Sequence, residues 1–255
     1  MSQTMNTYHP SLRVLLCFAM GIFLLSACKP ERMDDCFTPT GPEVEQERNI
    51  THFHSIELYN NINLVIEPGN MPTLRLKGGK NLLSSIETEV KDSTLTLRNL
   101  AACNWMRDYK RALTVYVTAS TLRSIRYEGS GDITMPQQLK FDSLRVDVLG
   151  GAGSFHLNVE TEKLGLFLHY GTVDFNVEGK AIITSIFANS YGPFYCNDLI
   201  SNIIYIRNSG TNDCYVSARH ILEVEITSVG NIYYSGDPYQ LKSNITGSGK
   251  LIKKD

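Results

Sequence analysis

The stretch from Gly247 to Lys250 (GSGK) contains residue types that bind phosphate. In the phosphate-binding loop of nucleotide-binding proteins, glycine amides and a lysine hold the phosphate groups. That motif also requires a glycine five residues before Gly249, where this chain has Asn244, and a serine or threonine after the lysine, where it has Leu251. Because both positions depart from the motif, the sequence predicts no nucleotide-binding site.

The histidines do not have the spacing of a metal site. His52 and His54 lie two residues apart on one face of a predicted strand, with no third ligand nearby in the sequence. His156, His169 and His220 fall in separate repeats. Zinc sites use three or four protein ligands, so we expect surface polar residues here and neither a metal nor another cofactor.

Three aspartates, Asp132, Asp174 and Asp213, each stand just before an apolar residue in copies of a short repeat. Stacked-strand polysaccharide lyases and hydrolases carry carboxylates on one outer face, so a carbohydrate-active enzyme is one alternative for this chain. Pro193 occupies the same position between the last two and interrupts the row. Because corner aspartates also bond to turn backbone, the simpler role is structural, and we expect the protein not to be an enzyme.

Tyrosines are the better candidates for contact with a partner. Six of them are spread over successive repeats: Tyr191, Tyr195, Tyr205, Tyr215, Tyr233 and Tyr234. If some face outward, they form a ladder suited to glycan stacking or to protein contacts, although outward tyrosine also simply suits a strand. The triplets beginning at Asp92 and Asp142 resemble O-glycosylation sites, which leaves modification of Ser93 and Ser143 open.

The N-terminal residues have the pattern of a lipoprotein signal peptide. Arg13 precedes an apolar run from Val14 to Leu25, which is too short to span a bilayer and suits a signal peptide. The run ends in Leu-Ser-Ala-Cys, which resembles the lipobox of bacterial lipoproteins and predicts acylation of Cys28. Lys29 in the next position favours the outer membrane, while the periplasmic face and the cell surface both remain open.

Composition narrows the remaining possibilities. The chain has 255 residues, of which 42% are hydrophobic, and its net charge of −2 gives no basic surface for nucleic acid.

We divide the chain into a signal peptide (residues 1–27), a polar tether (28–48) that lifts the domain off the membrane, and one β-domain (49–255). An Asn81–Ser84 helical turn before a strand at Ile86–Val90 is the only helix expected in that domain.

A repeat of about 20 residues organises the second half of the chain. Each copy has an alternating apolar run, a glycine-rich or polar corner and then one apolar residue. These residues are Ile133, Phe155, Phe175, Phe194, Cys214, Ile232 and Leu251. The period is too short for a propeller blade, so it predicts a β-solenoid in which these residues form one inward column; a β-sandwich is the alternative.

The residues just described resemble a known family, the putative auto-transporter adhesin head GIN domain, many members of which are lipoproteins of Bacteroidetes. The likeness lies in NINLVIE (Asn61–Glu67), GGKNLLSSIETEV (Gly78–Val90), LTLRN (Leu95–Asn99) and the corners GSGDI, GAGSF and GNIYYSGDP. Asn61 replaces the glycine of the family's Gly-Ile-Asn signature. The resemblance covers roughly residues 50–250 and implies a right-handed β-solenoid without implying a reaction.

The family likeness also bears on the cysteines. Some members share Asp-Cys-Phe and Cys-Asn-Trp, which here contain Cys36 and Cys103, and the resemblance implies a disulfide between them. Cys196 and Cys214 would be diagonal neighbours on adjacent coils, which is far for a disulfide, so either a bridge or two small buried thiols remains open.

Together these features predict a lipid-anchored, non-catalytic solenoid of the cell envelope that acts as an adhesin or interaction module. Its expected partners are the membrane, through the acylated Cys28, and host or envelope glycans or proteins. A structural envelope component without an external ligand is the main alternative. Open ends of the solenoid allow a homo-oligomer, although the terminal lysines would discourage it.

Overall fold

The computed structural model describes residues 39–101 and 113–254, and these residues are almost entirely β-strand. They form a β-solenoid of about six turns, which confirms the predicted fold class, while the right hand stays a prediction. The elements are β1 (Glu43–Arg48), β2 (Ser55–Asn60), β3 (Ile62–Glu67), β4 (Leu74–Gly79), α1 (Lys80–Leu83), β5 (Ile86–Lys91), β6 (Thr94–Asn99), β7 (Leu113–Thr118), β8 (Ser124–Gly129), β9 (Ile133–Thr134), β10 (Leu139–Leu168), β11 (Thr172–Ala188), β12 (Phe194–Asn208), β13 (Cys214–Ile226), β14 (Ile232–Ser235), β15 (Gln240–Ile245) and β16 (Leu251–Lys253).

The strands stack in two rows that share the long strands β10 to β13. One row runs β1-β4-β7-β3-β9-β10 and ends at β14 and β16. The other starts with β5-β6-β2-β8, joins β10, and ends with β15 on β13. Pairing is antiparallel where β4 lies between β1 and β7 and where β5 meets β6, and it is parallel in the later coils. Each later coil therefore rests directly on the coil before it.

The predicted inward column is confirmed residue by residue. Each member is the register partner of the next, from Ile133 opposite Phe155 to Ile232 opposite Leu251. All members are fully buried except Leu251, which is half-buried. Phe175 and Phe194 stack face to face with ring centroids 4.5 Å apart, which adds aromatic contact to the burial of apolar surface.

The folded part begins earlier than the sequence suggested. Residues 43–48, assigned to the tether, form β1 and pair antiparallel with β4. Val44 packs against the core, and the Arg48 guanidinium donates hydrogen bonds to the Leu83 carbonyl (2.8 Å) and the Thr88 hydroxyl (2.9 Å). One apolar residue and one inward-turned arginine were too weak a sequence signal to mark this strand.

Several predicted features lie outside the described residues. They are the signal peptide, the acylated Cys28 and both cysteines of the Cys36–Cys103 disulfide, so these stay predictions. Across residues 39–101 and 113–254, no helix has the length and apolarity to cross a bilayer.

The hairpin between β5 and β6 turns through two residues with left-handed backbone, Asp92 (φ +49°) and Ser93 (φ +59°). Such a turn favours glycine, because other residues lose about 1–2 kcal/mol in this conformation. We expect Ser93→Gly to raise the free energy of unfolding by about 0.5–1 kcal/mol, since the added unfolded-state entropy offsets part of the gain. Urea denaturation measures this change. Ser84→Gly is the control: Ser84 has helical backbone (φ −66°), so the same substitution should destabilise, and equal losses in both variants would contradict the prediction.

Candidate interaction surfaces on the outer walls

The Gly247–Lys250 segment has a structural role in the last coil. The Gly249 amide donates to the Ser228 carbonyl (3.0 Å), and the Lys250 amide donates to Asn231 Oδ1 (2.9 Å). A Cβ on Gly249 would lie 2.2 Å from the Gly230 carbonyl oxygen, so glycine is needed for the close approach of two coils. Both amides are used within the protein, and this agrees with the absence of the full phosphate-loop motif.

Two of the three corner aspartates accept hydrogen bonds from the backbone of the next coil. Asp132 Oδ1 accepts from the Ser154 amide (2.8 Å), and Asp213 Oδ1 accepts from the Asn231 amide (2.9 Å). Asp174 precedes the coil with Pro193, and proline has no amide hydrogen to donate. The row thus works as a side-chain ladder that fixes the corners, which is the simpler of the two roles considered for it.

The structure places the histidines in different surroundings. His52 is exposed, while the backbone carbonyl of His54 accepts from the Arg123 amide (2.8 Å). His169 lies 3.3 Å from Asp147, and the ring of His220 lies near Tyr239. Across residues 39–101 and 113–254, no three His, Cys, Asp or Glu side chains come together as metal ligands.

Three of the six tyrosines form a stacked ladder on one outer wall. Tyr195 and Tyr215 have ring centroids 5.5 Å apart, and Tyr215 and Tyr233 have centroids 4.9 Å apart, with ring planes 18° and 8° from parallel. The Lys254 ammonium lies 5.0 and 4.7 Å from the last two centroids. Both faces of Tyr215 are covered by its neighbours, so this ring presents an edge and cannot stack on a sugar.

The other tyrosines do not extend this ladder. Tyr191 and Tyr205 are exposed, and Tyr234 packs against the core. Within the ladder itself, the pKa of the Tyr215 hydroxyl is raised. Partial burial is the larger cause and the charge of Asp213 the next.

Cys196 and Cys214 are both buried and both free, so of the two alternatives the structure has the unbridged thiols. Cys214 is the register partner of Phe194, and Cys196 is the partner of Val216, which makes the two cysteines diagonal neighbours as expected. Burial raises the pKa of the Cys196 thiol to about 12, so this sulfur behaves as a small apolar core atom.

A groove of about 590 Å³, here called the corner groove, crosses several coils where the long strands turn from one row to the other. Ile182 and Ile200 line it and are 48% and 37% exposed. Asp142 and Glu162 lie on earlier coils of the groove, and Lys180 and Arg219 lie on later ones. Because the earlier coils contribute three acidic residues against one lysine, Lys140, the groove is apolar in the middle, net acidic towards one end and basic towards the other.

An exposed ion pair and a pair of buried hydroxyls lie at the corner groove. Lys140 Nζ donates to Glu160 Oε1 (2.7 Å), and this bond and the charges of Lys140 and Lys180 lower the pKa of Glu160. Beside it, the buried hydroxyls of Thr184 and Ser201 lie 2.6 Å apart and satisfy one another. The sequence did not reveal this groove, because its residues come from separate repeats and no motif joins them.

Comparison with known proteins agrees with this architecture. The family model described as "Putative auto-transporter adhesin, head GIN domain" matches residues 52–238. No curated protein sequence matches the chain.

Solved structures show the same fold at low sequence identity. A putative adhesin from Bacteroides fragilis NCTC 9343 is 20% identical with a TM-score of 0.73, over 85% of this chain and 99% of that one. A putative adhesin from Parabacteroides distasonis ATCC 8503 is 16% identical with a TM-score of 0.64, over 84% and 98%. A putative lipid binding protein from the same strain is 21% identical with a TM-score of 0.64, over 84% and 98%. Since the family model spans most of the described β-solenoid, the chain belongs to the family of the putative auto-transporter adhesin head GIN domain.

Proposed function

We propose that this protein is a lipid-anchored, non-catalytic adhesion module of the cell envelope, and that the corner groove is its contact site. The observation that carries the proposal is the pair of exposed isoleucines, Ile182 and Ile200, held in a concave site between opposite charges. Single exposed apolar residues are ordinary on a protein surface. Two that line one groove, flanked by charged groups, have the composition of a binding site with an apolar centre and a polar rim.

The fold supports contact through the outer walls. The inward column is packed with apolar side chains from Ile133 to Ile232, so the described coils have a solid core. A stack of this kind is rigid and presents the groove without a conformational change, which lowers the entropy cost of binding. An interaction role suits this arrangement better than a reaction.

The non-catalytic part of the proposal rests on the corner ladder. Of the three candidate carboxylates, Asp132 and Asp213 accept hydrogen bonds from backbone amides. The solved relatives bear the names of adhesins and of a lipid binding protein. The lipid anchor itself depends on Cys28 and its lipobox-like context.

The test is a binding screen of the purified protein against host glycans, matrix proteins and envelope polysaccharides. For any ligand found, Ile182→Thr with Ile200→Thr should weaken binding by about tenfold or more, because each isoleucine contributes roughly 1 kcal/mol of apolar burial. Val229→Thr is the matched control, since Val229 is also exposed (56%) and does not line the groove. Thermal unfolding of each variant verifies that the fold is retained.

The outcomes separate the competing functions. Unchanged ligand recovered after binding supports a non-catalytic module, whereas conversion of a polysaccharide to product would establish an enzyme. Equal affinity of the groove variant and the Val229 control would overturn the groove as the contact site. Full protection from protease in intact cells, together with no ligand in the screen, would favour a structural envelope component.

A further inference from the structure

The two ends of the solenoid differ in how far their apolar core residues are covered. At the N-terminal end, α1 buries Leu82 and Leu83, and Arg48 reaches from β1 to the backbone beside β5. At the C-terminal end, Leu241 and Ile245 in β15 occupy inward positions, opposite the buried Leu222 and Ile226. They are nevertheless 44% and 43% exposed, because no described coil lies on top of them. Among the described residues, core positions are therefore open at the C-terminal end.

Within residues 39–101 and 113–254, strand edges lack a strand partner at both ends. There, β15 pairs only with β13, so the outer edge of β15 is open. At the other end, within the same residues, β1 pairs only with β4 and β5 only with β6. Open edges of this kind are templates for pairing with another strand.

The charges at the two ends are opposite. Residues 240–255 contain four lysines, Lys242, Lys250, Lys253 and Lys254, against one acidic residue, Asp255. The edge strands β1 and β5 contain five glutamates against one arginine and one lysine: Glu43, Glu45, Glu47, Glu87, Glu89, Arg48 and Lys91. The Arg48 guanidinium is turned inward to its hydrogen bonds, which leaves the acidic character on the surface.

Part of this charge is already matched within the chain. Lys242 pairs with Glu223 (3.0 Å) and Lys253 with Asp237 (2.6 Å) at the C-terminal end. Glu45 pairs with Arg75 (2.9 Å), Glu43 with Lys77 (3.5 Å) and Glu87 with Arg98 (3.7 Å) at the other. Lys250, Lys254, Glu47 and Glu89 appear in none of these ion pairs and supply the charge that a partner would meet.

We propose that the protein assembles head to tail, with the β15 edge of one copy against the β1 and β5 edge of a second copy. This contact covers Leu241 and Ile245, pairs the open strand edges and joins basic to acidic surfaces. A tail-to-tail dimer would instead bring two lysine-rich edges together, which is repulsive. A head-to-tail contact does not close, so assemblies longer than a dimer follow. The inference goes beyond adhesion and does not depend on the corner groove.

Sedimentation velocity of the purified protein over a concentration range tests the assembly. The wild type should form species larger than a dimer as concentration rises, and high salt should weaken them. The C-terminal variant (Lys250→Glu with Lys254→Glu) and the N-terminal variant (Glu47→Lys with Glu89→Lys) should each need about tenfold or more higher concentration to assemble, since the substituted side chains, which lie outside the ion pairs at each end, then have the sign of the unaltered Glu47 and Glu89 or Lys250 and Lys254 at the opposite end. Lys163→Glu, an exposed charge on the outer wall, should assemble as the wild type does.

Mixing the two variants provides the decisive result. Every contact in the mixture can again join opposite charges, so assembly should return, and circular dichroism confirms that each variant is folded. A wild type that stays monomeric would overturn the proposal. So would an N-terminal variant that assembles as well as the wild type, because that result indicates a tail-to-tail contact.

Discussion

Replacing Gly151 with alanine should destabilise the protein by about 4 kcal/mol or more, or prevent folding altogether. Gly151 has φ +109°, a conformation that residues with a Cβ rarely adopt. A Cβ built there would lie 1.8 Å from the carbonyl oxygen of Gly129, its register partner in the preceding coil. That neighbour is backbone in a packed stack, so the clash can be relieved only by separating two coils.

The adjacent glycine is the natural control. An added Cβ at Gly150 would have no heavy atom within 4 Å, so Gly150→Ala should change the free energy of unfolding by no more than about 0.5 kcal/mol. Urea denaturation of the two variants measures the contrast. Similar stability of Gly151→Ala and Gly150→Ala would mean that the coils do not stack as closely as described.

Asn208→Ala should lower the free energy of unfolding by about 3 kcal/mol. Asn208 is completely buried at an inward position, opposite Ala188 and Ile226. Its side-chain amide donates to the carbonyls of Asn212 (3.0 Å) and Asn231 (3.3 Å), and its Oδ1 accepts from the Gly210 amide (3.0 Å). Alanine leaves these backbone groups without partners and also leaves a cavity.

Asn189→Ala serves as the comparison for Asn208. Asn189 lies near the same corner of the preceding coil but is exposed, and its side chain makes one long hydrogen bond to the His169 carbonyl (3.3 Å). Its loss should cost about 0.5 kcal/mol or less. Chemical denaturation distinguishes the two, and equal effects would show that the buried asparagine is not the anchor of the corner.

Much of the fold could be predicted, because the spacing of the repeat determines which residues lie opposite one another in neighbouring coils. Corner residues such as Phe155 and Phe175 recur at nearly constant spacing, and coils stacked through parallel strands place equivalent positions side by side. Alternation then decides which residues face inward, since successive side chains of a strand point to opposite faces. The same rule places Asn208 inward after Ile204 and Ile206, a polar residue at an apolar position that the sequence could have revealed.

The candidate site could not be predicted in the same way. Register shifts interrupt the pairing of β12 with β13 between Cys196 and Ile200 and between Ser201 and Ile203, so equal spacing in sequence no longer gives equal position there. Ile200, which is exposed and lines the corner groove, lies between these two irregularities. The predicted boundary between tether and domain was wrong for a different reason. β1 contributes a single apolar residue, Val44, to the core, which is too weak a pattern to predict a strand.

The sequence by itself determined the solenoid and its inward column, because a regular period and alternation are local properties that every coil repeats. Only the tertiary structure decided which side chains of the outer walls are exposed for contact with a partner. The rings of Tyr195, Tyr215 and Tyr233 cover one another, while Ile182 and Ile200 remain open beside opposite charges. Such properties depend on distances between side chains about 20 residues apart in sequence, and those distances are set by how one coil rests on the next.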